Sequence, residues 1–220
     1  MLEITILKIN PDLEQFDFDT LMKYIAKEKR TRISKFHFFK DARNCLLADI
    51  LARIEICRIT GQINDQLHFQ TNEYGKPYLV SKHNIYFNVS HAGNYVSCAA
   101  SDEPVGIDIE VIKPFDIKIA ERFFTADEIT YIKNGETATM ESRFYEVWTK
   151  KESRIKLEGK GLHIPLTSFS IFQPYGLEIP KYYEVLRNEE AICHVCTSKA
   201  SNLIVKTIDT TAIIASLMHL

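Results

Sequence analysis

Val105 to Val111 reads VGIDIEV, a run that is apolar or glycine apart from two carboxylates, Asp108 and Glu110. Its β-branched composition predicts a strand, in which successive side chains point to opposite faces. Asp108 and Glu110 therefore share one face, and Ile107, Ile109 and Val111 share the other. One side is built for a core and one side is acidic. The acids serve either as the wetted face of an antiparallel sheet or as oxygen ligands for a divalent metal. The fragment alone leaves both open.

Working outward, apolar and aromatic runs at Ile85–Val89 and Tyr95–Ala99 precede this strand, separated by SHAGN and SDEP, which are turn chemistry. Three adjacent strands are expected. Upstream, Leu2–Ile9 reads as a first strand, and PDLEQFDFDTLMKYIAKEKRTR as a turn and a short amphipathic helix. From Asp41, Leu47, Ile50, Leu51 and Ile54 fall on one helical face, with Gly61 as the stop. Downstream, IKIAERFF and TADEITYI return to helical spacing, and Thr125 with Glu128 has the form of a capping box. The longest predicted helix, Thr139–Glu158, carries Phe144, Val147, Trp148 and Ile155 as its apolar stripe and ends at Gly159 and Gly161. Strands are expected again at Ser168–Phe172, Tyr182–Leu186, Ala191–Thr197 and Leu203–Thr207. Helices and strands thus occur twice over. The reading is an α+β fold of two halves, 1–102 and 103–220.

A chain of 220 residues, 45% hydrophobic and 25% charged, can bury a substantial core. Its net charge of −2 argues against a protein built to coat nucleic acid. MLEITILKIN lacks the pattern of a secretory leader, and no window reaches the roughly 18 apolar residues of a membrane span. The expectation is a cytoplasmic protein that engages neither membrane nor nucleic acid. The five cysteines sit in apolar contexts and read as reduced core thiols. Within CHVC, Cys193 and Cys196 fall on opposite strand faces with no second pair to complete a zinc site.

The long helix contains WTKKESRIK, where Trp148, Glu152 and Lys156 are spaced i, i+4 and i+8 on one face. Alone this is either a helix-stabilising pair beside a core tryptophan or part of a site. Two further features accompany it: NEYGKPYL at 72–79, a glycine turn with Lys76 and Pro77 beside Tyr74, and FNVSHAG at 87–93, ending in Ser90 and His91. Adjacent strand residues point apart, so Ser90 and His91 do not form a hydrolase dyad. His91 is better cast as a phosphate partner. The chain has no GxxxxGK[ST] loop.

In order, YGKP, NVSHAG, VGIDIE and WTKKESRIKLEGKGL resemble the motif set of the 4′-phosphopantetheinyl transferases, specifically the type that activates peptide and polyketide synthetases, with surfactin-type enzymes as the nearest likeness. The likeness runs from the basic helix near Lys29 to IPLTSF. It implies two similar α+β halves related by a pseudo-two-fold, each a small, mostly antiparallel sheet with packed helices, with the active site between them. It further implies Mg²⁺-dependent transfer of 4′-phosphopantetheine from coenzyme A, the co-substrate, to a serine of an apo acyl, peptidyl or aryl carrier protein, with release of adenosine 3′,5′-bisphosphate. Mn²⁺ is an acceptable substitute for carboxylate ligands. By the same resemblance Asp108, Glu110 and Glu152 are the metal ligands, and Glu152 or a metal-bound water the base. Lys156 is the catalytic lysine, suited to stabilising the leaving group. Lys29, Arg32 and His91 match the coenzyme A phosphate contacts, and Tyr74, Gly75, Lys76, Pro77 and Ser90 the wall around the adenine nucleotide. A monomer is implied, because the two halves already form the cleft.

The chain departs from the pattern where surfactin-type members have Arg then Thr: Asn44 and Cys45 stand there, with Arg43 one place early. One residue on a helix is about 100° of rotation, so Arg43 does not inherit that role by proximity. Arg32 stands where the nearest likenesses have Lys, keeping charge but changing geometry. The family's docking surface corresponds to a segment with Arg122, Phe123, Phe124 and Glu128, where the phenylalanines are either a docking patch or a helix's core face. Two other functions fit some of these features: a catalytically silent module that binds coenzyme A or a carrier protein, and a Mg²⁺-dependent phosphate-ester or pyrophosphate hydrolase.

Overall fold

The computed structural model describes residues 1–10, 15–134, 136–173 and 180–216. In chain order these form β1 (Leu2–Lys8), α1 (Gln15–Leu21), α2 (Lys27–Ile33), α3 (Phe39–Thr60), β2 (Phe69–Thr71), β3 (Pro77–Leu79), β4 (Tyr86–Ala92), β5 (Tyr95–Ser101), β6 (Val105–Val111), α4 (Ile117–Phe123), α5 (Ala126–Lys133), α6 (Thr137–Glu158), β7 (Lys181–Arg187), β8 (Ala191–Thr197), β9 (Leu203–Asp209) and α7 (Thr210–Ser216). The expected turn and short helix at the N-terminus is α1, a 3₁₀ turn at Met22–Tyr24, and α2. The start of that stretch, 11–14, lies outside the described residues.

The fold is α+β, and the same unit is used twice. Two 22-residue helices, α3 and α6, each lie on a small sheet, α3 against the antiparallel pair β4 and β5 and α6 against the antiparallel pair β6 and β8. Each ends at a glycine in the left-handed region, Gly61 at φ 69° and Gly159 at φ 70°, where any other residue would be strained. On α3, Leu46, Leu47, Ile50 and Leu51 are fully buried against Leu7, Phe87, Val96 and Cys98. Burying each such side chain stabilises the fold by about 1.5–3 kcal/mol. On α6, Phe144, Val147 and Ile155 are buried as the spacing predicts, while Trp148 is only half-buried.

The sheets meet through alternation. In β1, Leu2, Ile4 and Ile6 pack with Val105, Ile107 and Ile109 of β6 in the core between sheets, whereas Leu7 faces the α3 core. The opposite face of β6 carries Gly106, Asp108 and Glu110. A Cβ at Gly106 would sit 1.9 Å from the Ser153 carbonyl oxygen and 2.3 Å from the Leu157 nitrogen, so glycine lets β6 lie directly on the α6 backbone. That contact presents the two acids to α6.

Three expectations are corrected. The strands at 85–111 are not neighbours in one sheet: the first sheet has order β4-β5-β1-β9, and β6 belongs to a second of order β6-β8-β7. The turn around Pro104 carries the chain across, and β6 completes its ladder with β8, pairing Asp108 with His194. Second, Leu203–Asp209 returns to the first sheet and pairs parallel with β1. Third, 168–172 is not a strand but follows a 3₁₀ turn at Leu166–Ser168. Its backbone groups are satisfied by side chains: Lys151 Nζ donates to the Leu166 and Phe169 carbonyls at 2.7 and 2.5 Å, and the Ile171 N–H donates to Glu128 at 2.8 Å. No ladder is then needed. Cys193 and Cys196 are both buried within β8. Among the described residues no helix is long and apolar enough to cross a membrane.

Candidate active site

A cleft of about 1010 Å³ runs between the two helix-on-sheet units. From the second unit, β6 contributes Asp108 and Glu110, and one face of α6 contributes Trp148, Glu152 and Lys156. The one-turn spacing read from the sequence is what brings those three to the same wall. From the first unit come Lys29 and Arg32 on α2, Ser90 and His91 at the end of β4, and Gly75 and Pro77 from the turn into β3.

Asp108 is the hub. It is 4% exposed, and its Oδ1 accepts from Lys156 Nζ at 2.6 Å and from Ser90 Oγ at 2.9 Å. Lys156 Nζ also donates to Ser90 Oγ at 2.9 Å. The second oxygen, Oδ2, is buried without a hydrogen-bond partner, a costly condition for a carboxylate unless something binds there. Burial raises the Asp108 carboxyl above its ordinary value, against the pull of Lys156. Burial, with the charge of Asp108 beside them, also pushes Glu110 and Glu152 up to about 7. Three acids that resist ionising next to one another form a site that favours an added cation.

The donor set fits a hard divalent ion. Carboxylate oxygens are the ligands Mg²⁺ and Mn²⁺ take, and Asp108 Oδ2 is the unpartnered oxygen. Among the described residues no three His, Cys, Asp or Glu side chains form a ready-made cage. A cation here would complete its shell with water and substrate oxygens, as Mg²⁺ commonly does.

Two residues expected in the nucleotide wall lie elsewhere. Tyr74 is exposed, its ring edge-on to His163 with centroids 5.0 Å apart. Lys76 turns its ammonium away from the cleft, onto the carbonyls of Val105, Lys156 and Leu157. Gly75 and Pro77 line the cleft because they flank a residue whose side chain points the other way. At the departure from the family pattern, Arg43 bonds to Asn44 and Asn94, while Asn44 donates to the Gly93 carbonyl. Both are buried at that turn, and only Cys45 lines the cleft. The segment compared with a docking surface is divided: Phe124 is 3% exposed and Glu128 is fully buried, paired with Lys151 at 2.9 Å, while Phe123 is half-buried and Arg122 exposed. Glu128 also forms the capping-box bond, accepting from the Thr125 N–H at 2.9 Å.

Sequence reasoning missed Asp49 and Arg53 of α3. Asp49 sits 3.6 Å from Lys29 Nζ and 2.7 Å from Arg53 Nε, so it holds two cleft cations in place. The available signal was the helix period. Cys45, Ala48, Asp49, Ala52 and Arg53 repeat at i, i+3, i+4, i+7 and i+8 as a second face beside the apolar one.

Comparison with known proteins places the chain in a family. Residues 10–103 match the family model described as 4′-phosphopantetheinyl transferase, N-terminal, and residues 104–210 match that of the 4′-phosphopantetheinyl transferase superfamily. The chain is 39% identical over 171 residues to the 4′-phosphopantetheinyl transferase gsp of Aneurinibacillus migulanus, covering 78% of this chain and 71% of that protein. It is 40% identical over 159 residues to the 4′-phosphopantetheinyl transferase Sfp of Bacillus subtilis (strain 168), covering 72% of this chain and 71% of Sfp. A mouse L-aminoadipate-semialdehyde dehydrogenase-phosphopantetheinyl transferase is 31% identical over 178 residues, 74% of this chain and 58% of the mouse protein. The chain therefore belongs to the 4′-phosphopantetheinyl transferase family, in its surfactin-activating type, and is an enzyme of that class.

Proposed function

We propose that the chain transfers 4′-phosphopantetheine from coenzyme A to a serine hydroxyl of an apo acyl, peptidyl or aryl carrier protein, releasing adenosine 3′,5′-bisphosphate, with Mg²⁺ or Mn²⁺ as cofactor. The observation that carries this reading is one cleft with carboxylates on one wall and Lys29, Arg32 and His91 on the other. A pyrophosphate bridging those walls meets cations at its phosphates and the acids at its reacting centre.

Asp108, Glu110 and Glu152 would hold the cation, which supplies neutralisation of the pyrophosphate charge as the bond breaks. Lys156, 2.6 Å from Asp108, is placed to turn its ammonium onto the leaving phosphate. Lys29 and Arg32 hold phosphate oxygens, with Asp49 keeping Lys29 extended over the cleft. Gly75 and Pro77 present backbone to the adenine nucleotide, whereas the Ser90 hydroxyl, bonded to Asp108 and Lys156, sits with the acids. Glu152 is also the base that takes the proton from the incoming serine hydroxyl. In this reading 1–102 is the nucleotide-side half and 103–220 the catalytic half, with β9 lent back to the first sheet. The enzyme works as a cytoplasmic monomer.

The test is intact-mass spectrometry of apo carrier proteins incubated with the chain, coenzyme A and Mg²⁺, with an EDTA control. A metal-dependent mass gain equal to one phosphopantetheinyl group on the carrier is expected, with severe loss in D108A, E152A and K156A. Coenzyme A binding without any gain would replace the proposal with a silent binding module, and release of free phosphopantetheine would replace it with a hydrolase.

A further inference from the structure

Lys76 lies in a turn that grips the far end of the catalytic helix. The turn is internally rigid: Asn72 Oδ1 accepts from the Tyr74 and Lys76 N–H groups at 3.0 and 2.8 Å, and the Asn72 N–H donates to the Lys76 carbonyl at 2.9 Å. Gly75 completes it with φ 86°. From this turn Asn72 Nδ2 donates to the Gly159 carbonyl at 2.8 Å. Lys76 Nζ donates to the Lys156 carbonyl at 2.6 Å, to Val105 at 3.2 Å and to Leu157 at 3.3 Å. The last carbonyls of a helix have no partner within it and form the negative end of its dipole, so a cation there both satisfies and stabilises them. Burial pushes the Lys76 ammonium down only to about 8, and it stays charged at neutral pH.

The residue held in this way is Lys156 itself. Its backbone is fixed by Lys76 and its side chain by Asp108 and Ser90. The neighbours of Lys76, Gly75 and Pro77, line the cleft on the opposite side of the same turn. One rigid turn thus contacts the ligand cleft with two residues and the backbone of the catalytic lysine with the residue between them.

We infer that Lys76 is a positioning residue of the transfer reaction, acting through Lys156 by clamping the last turn of α6 to the nucleotide wall, and not a direct ligand of the nucleotide. The inference rests on the proposed transferase mechanism for its kinetic signature. Its structural half, the clamp, is independent of that mechanism.

The test uses the whole chain. K76M keeps the methylene stem and removes the ammonium. Expected is a fall in kcat of about ten- to a hundredfold, with KM for coenzyme A within about twofold of wild type. In a K156A background K76M is expected to cost almost nothing further, because its effect passes through the missing ammonium. Amide hydrogen exchange, which needs no activity, is expected to speed up in K76M at Leu157 to Gly159 while the rest of α6 stays protected. Should K76M not fold, N72A removes the neighbouring tether to Gly159 and is expected to give the same pattern in weaker form. A raised KM with unchanged kcat would return Lys76 to the nucleotide wall. Full multiplication of the K76M and K156A losses, or unchanged exchange at the end of α6, would also overturn the clamp. Absence of transfer by the wild type in the same assay would instead refute the transferase mechanism, leaving the exchange result to decide the clamp alone.

Discussion

Lys151 is fully buried, 2.9 Å from the equally buried Glu128. It donates to the Leu166 and Phe169 carbonyls and lies 4.3 Å from the centroid of the Phe169 ring. Glu128 in turn caps α5 at Thr125 and accepts from the Ile171 N–H. This one node fastens α5 and the 166–171 segment to α6. K151M keeps most of the volume but strands the carboxylate of Glu128. Breaking one partner of a buried pair costs about 3–5 kcal/mol. Two orphaned carbonyls move the expectation to the upper end, about 5 kcal/mol. In a chain of this size that lowers Tm by roughly 10–20 °C. Adding E128Q removes the stranded charge but leaves one acceptor oxygen where Glu128 has two, one for the Thr125 N–H and one for the Ile171 N–H, so the double variant should restore only about 1 kcal/mol. Urea titration of wild type, K151M and E128Q/K151M checks both steps. A K151M loss below about 1 kcal/mol, or a double variant less stable than K151M, would refute the account of the pair as a charge that must be matched.

His194 faces α6 from β8, with Nδ1 2.8 Å from Thr149 Oγ1, and burial pushes its imidazole from 6.5 down to about 3. The folded state therefore favours the neutral ring. That contribution is complete above the unfolded value of 6.5 and is lost as pH falls toward about 3, amounting to about 2 kcal/mol by pH 5. H194Q should flatten this part of the stability–pH curve in urea titrations, and an unchanged slope would count against it. Glu110 and Glu152 run the other way: with carboxyls near 7 instead of 4.5, they lose stabilisation as pH rises through 7. Mg²⁺ should therefore raise Tm more above pH 7 than below pH 5, an effect absent in D108N; equal shifts at both pH values would contradict the site. G106A should cost at least about 2 kcal/mol, since the added methyl has only the α6 backbone to displace. Near-wild-type stability of G106A by calorimetry would mean that β6 does not lie on α6 as described.

Much of the site was legible because local periodicity carries it. Alternation in VGIDIEV placed Asp108 and Glu110 together, and the helix repeat placed Trp148, Glu152 and Lys156 together. Capping chemistry likewise located Thr125 and Glu128, and both long helices stop at the glycines that can take a left-handed turn. What the motifs did not reveal is direction across a turn. Lys76 belongs to the same YGKP motif as Gly75 and Pro77, yet its ammonium faces the carbonyls at the end of α6.

By itself the amino-acid sequence determined the family, the α+β class, the extents of the long helices and the acidic face of β6, because each depends on residue order over one or two turns or strands. Only the tertiary structure decided that β6 leaves its upstream neighbours for β8 and that β9 returns to β1. It also decided that 166–171 is held by Lys151 and Glu128 instead of by a ladder. The physical reason is common to all three. Backbone hydrogen bonds must be completed somewhere, but which distant strand or buried side chain completes them depends on how the two helix-on-sheet units pack, and no local pattern encodes that choice.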